Sequence, residues 1–253
     1  MRISKYHSCE NSFLITMYEN NIDYSLLAKN ICDIDKYNAD GLLVLKVDPI
    51  EVLIFNKDGS EALMCGNGLN CMMHYCYDKF KIYKYLKIQT KAGIFECEML
   101  KKTPFTSCVN LGIAEYYKDI IQKDIFINQN KYNVTAVTLG VYHAVLIVDK
   151  FDGIENDVID IFEHDLFSKE VNINFVKIVD KGVIEMITYE RGVGWSRACG
   201  SGAGASVYVL NELYSLDNKV KVITPGGILN VEIDDNIYLF AESTFLLEME
   251  CVV

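Results

Sequence analysis

Two short stretches carry the residue types best suited to chemistry. Residues 63–71 read LMCGNGLNC and residues 196–206 read SRACGSGAGAS, so Cys65 and Cys199 each open a Cys-Gly-X-Gly run. A cysteine just ahead of a helix sits among backbone N–H groups that have no acceptor within the helix, at the positive end of its dipole. Both effects favour thiolate, drawing the pKa below the free value of about 8.5. The glycines let the backbone close on a ligand where a Cβ would intervene, and the N–H groups suit a carboxylate. One motif thus supplies an anion site and a reactive sulfur. Two motifs facing each other supply a sulfur on each side of one carbon. Such a pair can invert a stereocentre: a thiolate removes a proton from one face, a thiol delivers one to the other, and no cofactor is required. Read singly, each run is a tight turn with a buried, inert thiol. Its repetition, each time after a strand and before a helix, favours catalysis.

The surrounding pattern is consistent with two copies of one positioning frame. RISKY, SFLITMY, GLLVLKV and EVLIFN are β-branched or aromatic runs that predict strands, and NKDGSEALM carries an Asp-Gly turn into the first cysteine. From Gly66 onward, Leu69, Met72, Met73, Cys76 and Phe80 fall at helical spacing. LKIQT, GIFECEM and TSCVNLG then predict strands. The second half repeats the order: a hairpin in IFINQNKYNVTAVTLG, strands in VYHAVLIVD, INFVKIV and VIEMITYE, then the glycine turn entering a helix, then the hairpin VKVITPGGILNVEI. The fold class expected is α/β (α+β), duplicated with pseudo-twofold symmetry. The expected domains are residues 1–113, joined by a returning C-terminal strand at 243–253, and residues 114–242.

Composition narrows the partners. At 253 residues, 51% hydrophobic and with three prolines, the chain can bury a sizeable core and has no disordered tract. A net charge of −11 repels a polyanion, which argues against nucleic acid. No apolar run reaches the length of a membrane span, and the start lacks the apolar core of a signal peptide; a cytoplasmic protein is expected. Nine cysteines suit a reducing compartment. Cys65, Cys71 and Cys76 are spaced unlike zinc ligands, so no metal is expected.

With these residues in place the chain resembles the diaminopimelate epimerases and related cofactor-independent amino-acid racemases. KYHSCENSF is similar to the family's KxHGxGNDF, FNKDGSEALMCGNGLNC to FNxDGSxxxxCGNGxRC, and YERGVGWSRACGSGAGA to ERGxGETxACGTGA. The resemblance implies two domains, each a mostly antiparallel sheet or barrel wrapped round a central helix, with the active site in the cleft between them. It implies Cys65 and Cys199 as the acid–base pair, with Gly66, Asn67, Gly200 and Ser201 holding the reacting carboxylate. Asn11, Asn56, Asn172 and Arg191 would contact substrate, the last three at its distal end, where a guanidinium suits a carboxylate. Read alone, the three asparagines at 11, 56 and 172 are turn residues, and Arg191 is a solvated charge. Glu190 and His143 match positions close to the cysteines and would tune the thiols; His143 is equally a satisfied core histidine.

Departures from the pattern concern specificity. The family's GNPH is GVYH here, so Val141 replaces an asparagine, and Trp195, the single tryptophan, stands in the altered GWS. The expected activity is interconversion of LL- and meso-diaminopimelate for lysine synthesis. The alternative on the same scaffold is a racemase of another amino acid such as histidine. From another class, a non-catalytic small-molecule-binding protein or a thiol redox sensor remains open. Cys-Gly-Asn-Gly argues against the proline type, whose first motif resembles CGHGT, and the two cysteines argue against the phenazine type, which uses a carboxylate. The expected partners are an amino-acid substrate and a second copy of the chain in a homodimer.

Overall fold

The computed structural model describes residues 1–33, 35–81, 84–167 and 171–251. It divides into two units, Met1–Asn110 with Phe240–Val253, and Leu111–Leu239. Residues 252 and 253 of the expected final strand lie outside the described residues.

The first unit begins with strands β1 (Arg2–Ser8) and β2 (Asn11–Met17), helix α1 (Tyr24–Ile31), and strands β3 (Gly41–Val47), β4 (Ile50–Asn56) and β5 (Glu61–Ala62). Helix α2 (Gly66–Phe80) follows, then β6 (Tyr85–Thr90), β7 (Gly93–Lys102) and β8 (Phe105–Gly112). In the second unit come β9 (Glu115–Tyr116), β10 (Lys123–Ile127), β11 (Asn130–Leu139) and β12 (Val141–Ile147), helix α3 (Ile154–Phe162), and β13 (Val171–Asp180), β14 (Val183–Glu190) and β15 (Gly194–Ser196). Helix α4 (Gly200–Tyr214), β16 (Lys219–Thr224), β17 (Gly227–Ile233) and β18 (Ile237–Glu242) complete the order, and β19 (Thr244–Glu250) pairs antiparallel with β1. The Met1 amino group donates to the Cys251 carbonyl at 2.9 Å beside that pairing.

The two units repeat one topology. In the first, β1–β2, β3–β4 and β6–β7 are antiparallel pairs, joined by parallel contacts β2–β3 and β4–β6. In the second, β11–β12, β13–β14 and β16–β17 are antiparallel, joined by β12–β13 and β14–β16 in parallel. A parallel step cannot be closed by a tight turn and needs a crossover, usually helical. Helices α1 and α3 are the crossovers of the first parallel step in each unit, and α2 and α4 those of the second. The sequence pattern led us to expect two helices; the described residues hold four.

In each unit the central strands are buried on both faces. Leu14, Leu42 and Val44 join α1 residues Leu27, Ala28 and Ile31 in one core. The alternate residue Leu43 turns the other way, against the start of α2. In the second unit Ala136, Ala144, Leu146, Ile173 and Phe175 pack with α3 residues Ile154, Val158 and Ile161. The odd-numbered residues of β11 and β12 and the even-numbered ones of β13 and β14 therefore face α4. Gly204 of α4 lies so close that a Cβ would come within 2.8 Å of Leu111 Cδ1 and 2.9 Å of Leu139 Cδ2. Small residues along α4 are what let the sheet curl tightly round it.

Asp157 of α3 is 1% exposed, and three neutral donors hold it. Asn128 Nδ2 reaches Oδ1 at 3.0 Å, while Asn130 Nδ2 and Tyr132 Oη reach Oδ2 at 2.7 and 2.6 Å. Burial pushes this carboxyl's pKa up, but the three donors outweigh burial and hold it below the ordinary carboxylate value. We expect Asp157→Asn to lower unfolding stability by about 2 kcal/mol at neutral pH, the scale of hydrogen bonds to a charge. A depressed folded pKa contributes stability that is whole above the unfolded value of about 3.9 and fades as pH falls through the folded one. Urea unfolding at pH 7 and pH 3 checks this: the gap between wild type and variant should narrow in acid, and an unchanged gap would contradict it.

Candidate active site

Both cysteines cap helices in the same way. Cys65, extended at φ −149° and ψ 114°, is the N-cap of α2, and its Sγ accepts from Gly68 N at 3.3 Å. Cys199, at φ −123° and ψ 110°, is the N-cap of α4, and its Sγ accepts from Gly202 N at 3.3 Å. Each thus takes the place a serine or aspartate usually fills, with sulfur receiving an N–H that the helix cannot satisfy. Cys199 is buried and Cys65 half-buried. Ser201 Oγ lies 3.7 Å from Cys199 Sγ, within reach of a weak hydrogen bond.

Around Cys65, the β1–β2 hairpin aims Asn11 at the helix start. Its two-residue turn places Cys9 and Glu10 at φ 49° and 58°, the left-handed pair a tight hairpin requires. Asn67 Nδ2 donates to Asn11 Oδ1 at 3.3 Å, and Asn11 Nδ2 donates to Asp40 Oδ2 at 3.1 Å. Asp40 also accepts from Ser12 N at 2.7 Å, which fixes the hairpin against the approach to β3. Gly66 and Asn67 are buried in the first turn of α2. Asn56 lies at the end of β4, where its Nδ2 donates to Ser60 Oγ at 2.9 Å within the turn that precedes β5.

Around Cys199, residues of β12, β13 and β14 that face α4 form a polar floor. His143 is fully buried, and burial pushes its pKa down to about 3, so the ring is neutral. Asn174 links it to Thr188: the amide meets His143 Nδ1 at 3.2 Å and accepts from Thr188 Oγ1 at 3.1 Å. His143 Nε2 has no hydrogen-bond partner among the described residues. A buried polar atom so left costs about 1–3 kcal/mol, a sign of a group kept for something else. Ser196 Oγ is buried in the same condition, on the strand that pairs with Thr188. Asn172 Oδ1 accepts from Arg191 N at 3.0 Å, pinning the turn that follows Glu190 at the end of β14. Gly200 and Ser201 are buried in the first turn of α4.

The two residues marked for specificity stand differently. Val141 opens β12 on the face of His143, two residues away. Trp195 pairs with Tyr189, and its ring lies 5.5 Å from that of Tyr189 and 6.1 Å from that of Phe175. Tyr189 and Phe175 belong to the α3 core, so Trp195 stands on the face of β15 away from Ser196 and α4. Asn174, Thr188, Ser196 and Asp40 join the site although no sequence motif marks them as site residues. The alternation in NINF was the available signal for Asn174, since it puts Asn172 and Asn174 on one face.

The family model for diaminopimelate epimerase matches residues 3–116 and 135–242. Among curated proteins, the diaminopimelate epimerase of Clostridium perfringens is 33% identical over 98% of each chain. That of Caldanaerobacter subterraneus is 34% identical over 96% of each, and that of Methanothermobacter thermautotrophicus 36% identical over 77% of this chain and 75% of its own. Solved structures share the fold at lower identity. A probable proline racemase from Agrobacterium radiobacter aligns with a TM-score of 0.78 and 11% identity, covering 100% of this chain and 93% of that one. A hydroxyproline epimerase from Agrobacterium vitis aligns at 0.79 and 10% identity, covering 98% and 90%.

Proposed function

The chain belongs to the diaminopimelate epimerase family, and we propose that it inverts one Cα of diaminopimelate by a two-base mechanism that uses Cys65 and Cys199. The carrying observation is near-full-length likeness to curated diaminopimelate epimerases, in a chain whose two motif cysteines both cap helices. The chemistry requires the two sulfurs on opposite faces of the reacting carbon. One, as thiolate, takes the α-hydrogen as a proton, and the electron pair left on Cα delocalises into the carboxylate. The other, as thiol, hands its proton to the opposite face, so the pair ends with its roles exchanged. N–H donors at each sulfur stabilise its charge, and the first turns at Gly66, Asn67, Gly200 and Ser201 suit the substrate carboxylate. On the family resemblance, Asn11, Asn56, Asn172 and Arg191 are assigned to the substrate, and Glu190 and His143 to tuning the thiols. No cofactor enters this scheme, since two sulfurs suffice to move the proton.

Packing of Trp195 against Tyr189 and Phe175 supports diaminopimelate over another amino acid, because it takes that ring off the α4 face. Among the described residues no helix is long and apolar enough to cross a membrane. A cytoplasmic place in lysine synthesis and a homodimeric assembly belong to the same proposal, on the family resemblance. Incubation in deuterated water with a panel of amino acids tests the reading. Deuterium should enter Cα of LL- and meso-diaminopimelate without added pyridoxal phosphate. Exchange into histidine or another monoamino acid alone would replace the substrate, and no exchange into any would favour a binding protein or a thiol sensor.

A further inference from the structure

Asn174 is buried, and its side chain joins three elements. Its Nδ2 donates to the Ala144 carbonyl at 3.2 Å and meets His143 Nδ1 at 3.2 Å. Its Oδ1 accepts from Thr188 Oγ1 at 3.1 Å and lies against Gly202, where a Cβ would collide with it. A carbonyl can only accept, so Ala144 fixes which end of the amide faces β12. The amide nitrogen only donates: its hydrogens lie toward Ala144 O and His143 Nδ1 at 3.2 Å each, with the Asn172 carbonyl farther off at 3.5 Å, and it cannot accept from an Nδ1–H. His143 Nδ1 must then be the bare nitrogen, and a neutral imidazole carries its hydrogen on Nε2.

We propose that Asn174 is a positioning residue: it holds His143 in the Nε2–H tautomer and, through Oδ1 against Gly202, ties that ring to the start of the helix carrying Cys199. The tautomer places the hydrogen on the nitrogen that has no partner among the described residues. Thr188 donates to the amide oxygen, which agrees with the orientation that Ala144 already sets. An acidic side chain at position 174 would act in the opposite sense, accepting from Nδ1–H and moving the hydrogen off Nε2. The catalytic part of this inference rests on the epimerase reading; the tautomer part does not.

Nitrogen-15 spectra of the histidine rings at pH 7 provide the test, with His143→Gln used to assign one ring among four. Wild type should show His143 with hydrogen on Nε2 and a bare Nδ1. Asn174→Asp should move hydrogen to Nδ1, and should lower kcat for stereoinversion by about 10–100-fold with KM within about twofold, the scale of a misplaced catalytic group. Thr188→Val should keep the tautomer, because both Nδ2 contacts survive. If Asn174→Asp does not fold, Asn174→Ala serves in its place and should give a mixture of tautomers. Hydrogen on Nδ1 in wild type would overturn the inference. So would an unmoved tautomer in both Asn174 variants, or a moved tautomer with kcat unchanged. A wild type inactive on diaminopimelate but with the expected spectrum would sink the epimerase reading and leave the tautomer assignment standing.

Discussion

Cys199→Ser is expected to reduce diaminopimelate turnover by about 10³–10⁴-fold, and Cys65→Ser by a similar factor, the upper range for loss of a general acid or base. Serine preserves the cap, since a hydroxyl oxygen also accepts the N–H of Gly202 or Gly68. What it removes is acidity, because a hydroxyl is far harder to ionise than a thiol. The loss should therefore fall on kcat, with unfolding stability close to wild type. The two single variants should also differ in kind. Each keeps one sulfur, so any residual solvent exchange should be confined to the isomer whose α-hydrogen faces that sulfur, and should proceed without inversion. Exchange into LL- and meso-diaminopimelate measured separately reads this directly. Equal residual exchange from both isomers, or turnover within tenfold of wild type in either variant, would contradict a two-base pair.

Gly202→Ala should be far more damaging than Gly68→Ala, although the two glycines occupy the same place in the repeated motif. A Cβ at Gly68 would meet Cys65 Cβ at 3.3 Å, Leu43 Cδ2 at 3.4 Å and Cys65 Sγ at 3.5 Å, contacts that a shift of a few tenths of an ångström relieves. A Cβ at Gly202 would collide with Asn174 Oδ1 and stand 3.1 Å from Cys199 Sγ. The Asn174 amide cannot retreat without giving up Ala144, His143 and Thr188. Replacing glycine in a helix gains up to about 1 kcal/mol in propensity, whereas overpacking costs about 1–3 kcal/mol. Propensity wins at position 68 and overpacking at position 202. Gly68→Ala should keep stability within about 1 kcal/mol and most of the activity. Gly202→Ala should lose about 1–3 kcal/mol, and kcat should fall by about 100-fold as Cys199 is displaced. Urea unfolding and steady-state kinetics on both variants decide it, and comparable behaviour of the two would refute the asymmetry.

What was legible in the sequence followed from chemistry that is local. Cys65 and Cys199 announce helix starts because each Cys-Gly-X-Gly turn stands between a strand signal and a helical one, and both helices begin there. The β-rich runs were legible for the same reason, down to the Pro225-Gly226 turn between β16 and β17. Helices α1 and α3 were not, although Asp23 caps α1 by accepting from Leu26 N and Glu155 and Asp157 sit in the first turn of α3. Their real cause is topological: the parallel steps β2–β3 and β12–β13 require a crossover, and parallel pairing is invisible until the strands are placed. The site shows the same division. The motifs name their own residues, but Asn174 and Thr188 matter only because adjacent strands bring Asn174 against Gly202 and Thr188 against Asn174. His143 admits two readings in the sequence, and the structure supplies both a buried, neutral ring and an unmatched Nε2 among the described residues. Trp195 shows the limit in the other direction. Its rarity drew attention, yet register with Tyr189 turns its ring toward the α3 core.

The pairing of β19 with β1 has a consequence for synthesis. The ribosome delivers β1 to β8 first, then all of β9 to β18, and only afterwards the strand that covers the β1 edge. The middle unit can therefore mature while its predecessor still carries an open row of backbone donors and acceptors, the kind of edge that recruits wrong partners. A translation product halted before residue 244 would hold one finished unit and one exposed flank. Nascent-chain proteolysis should cut the early segment of such a product well before it cuts residues 111–239.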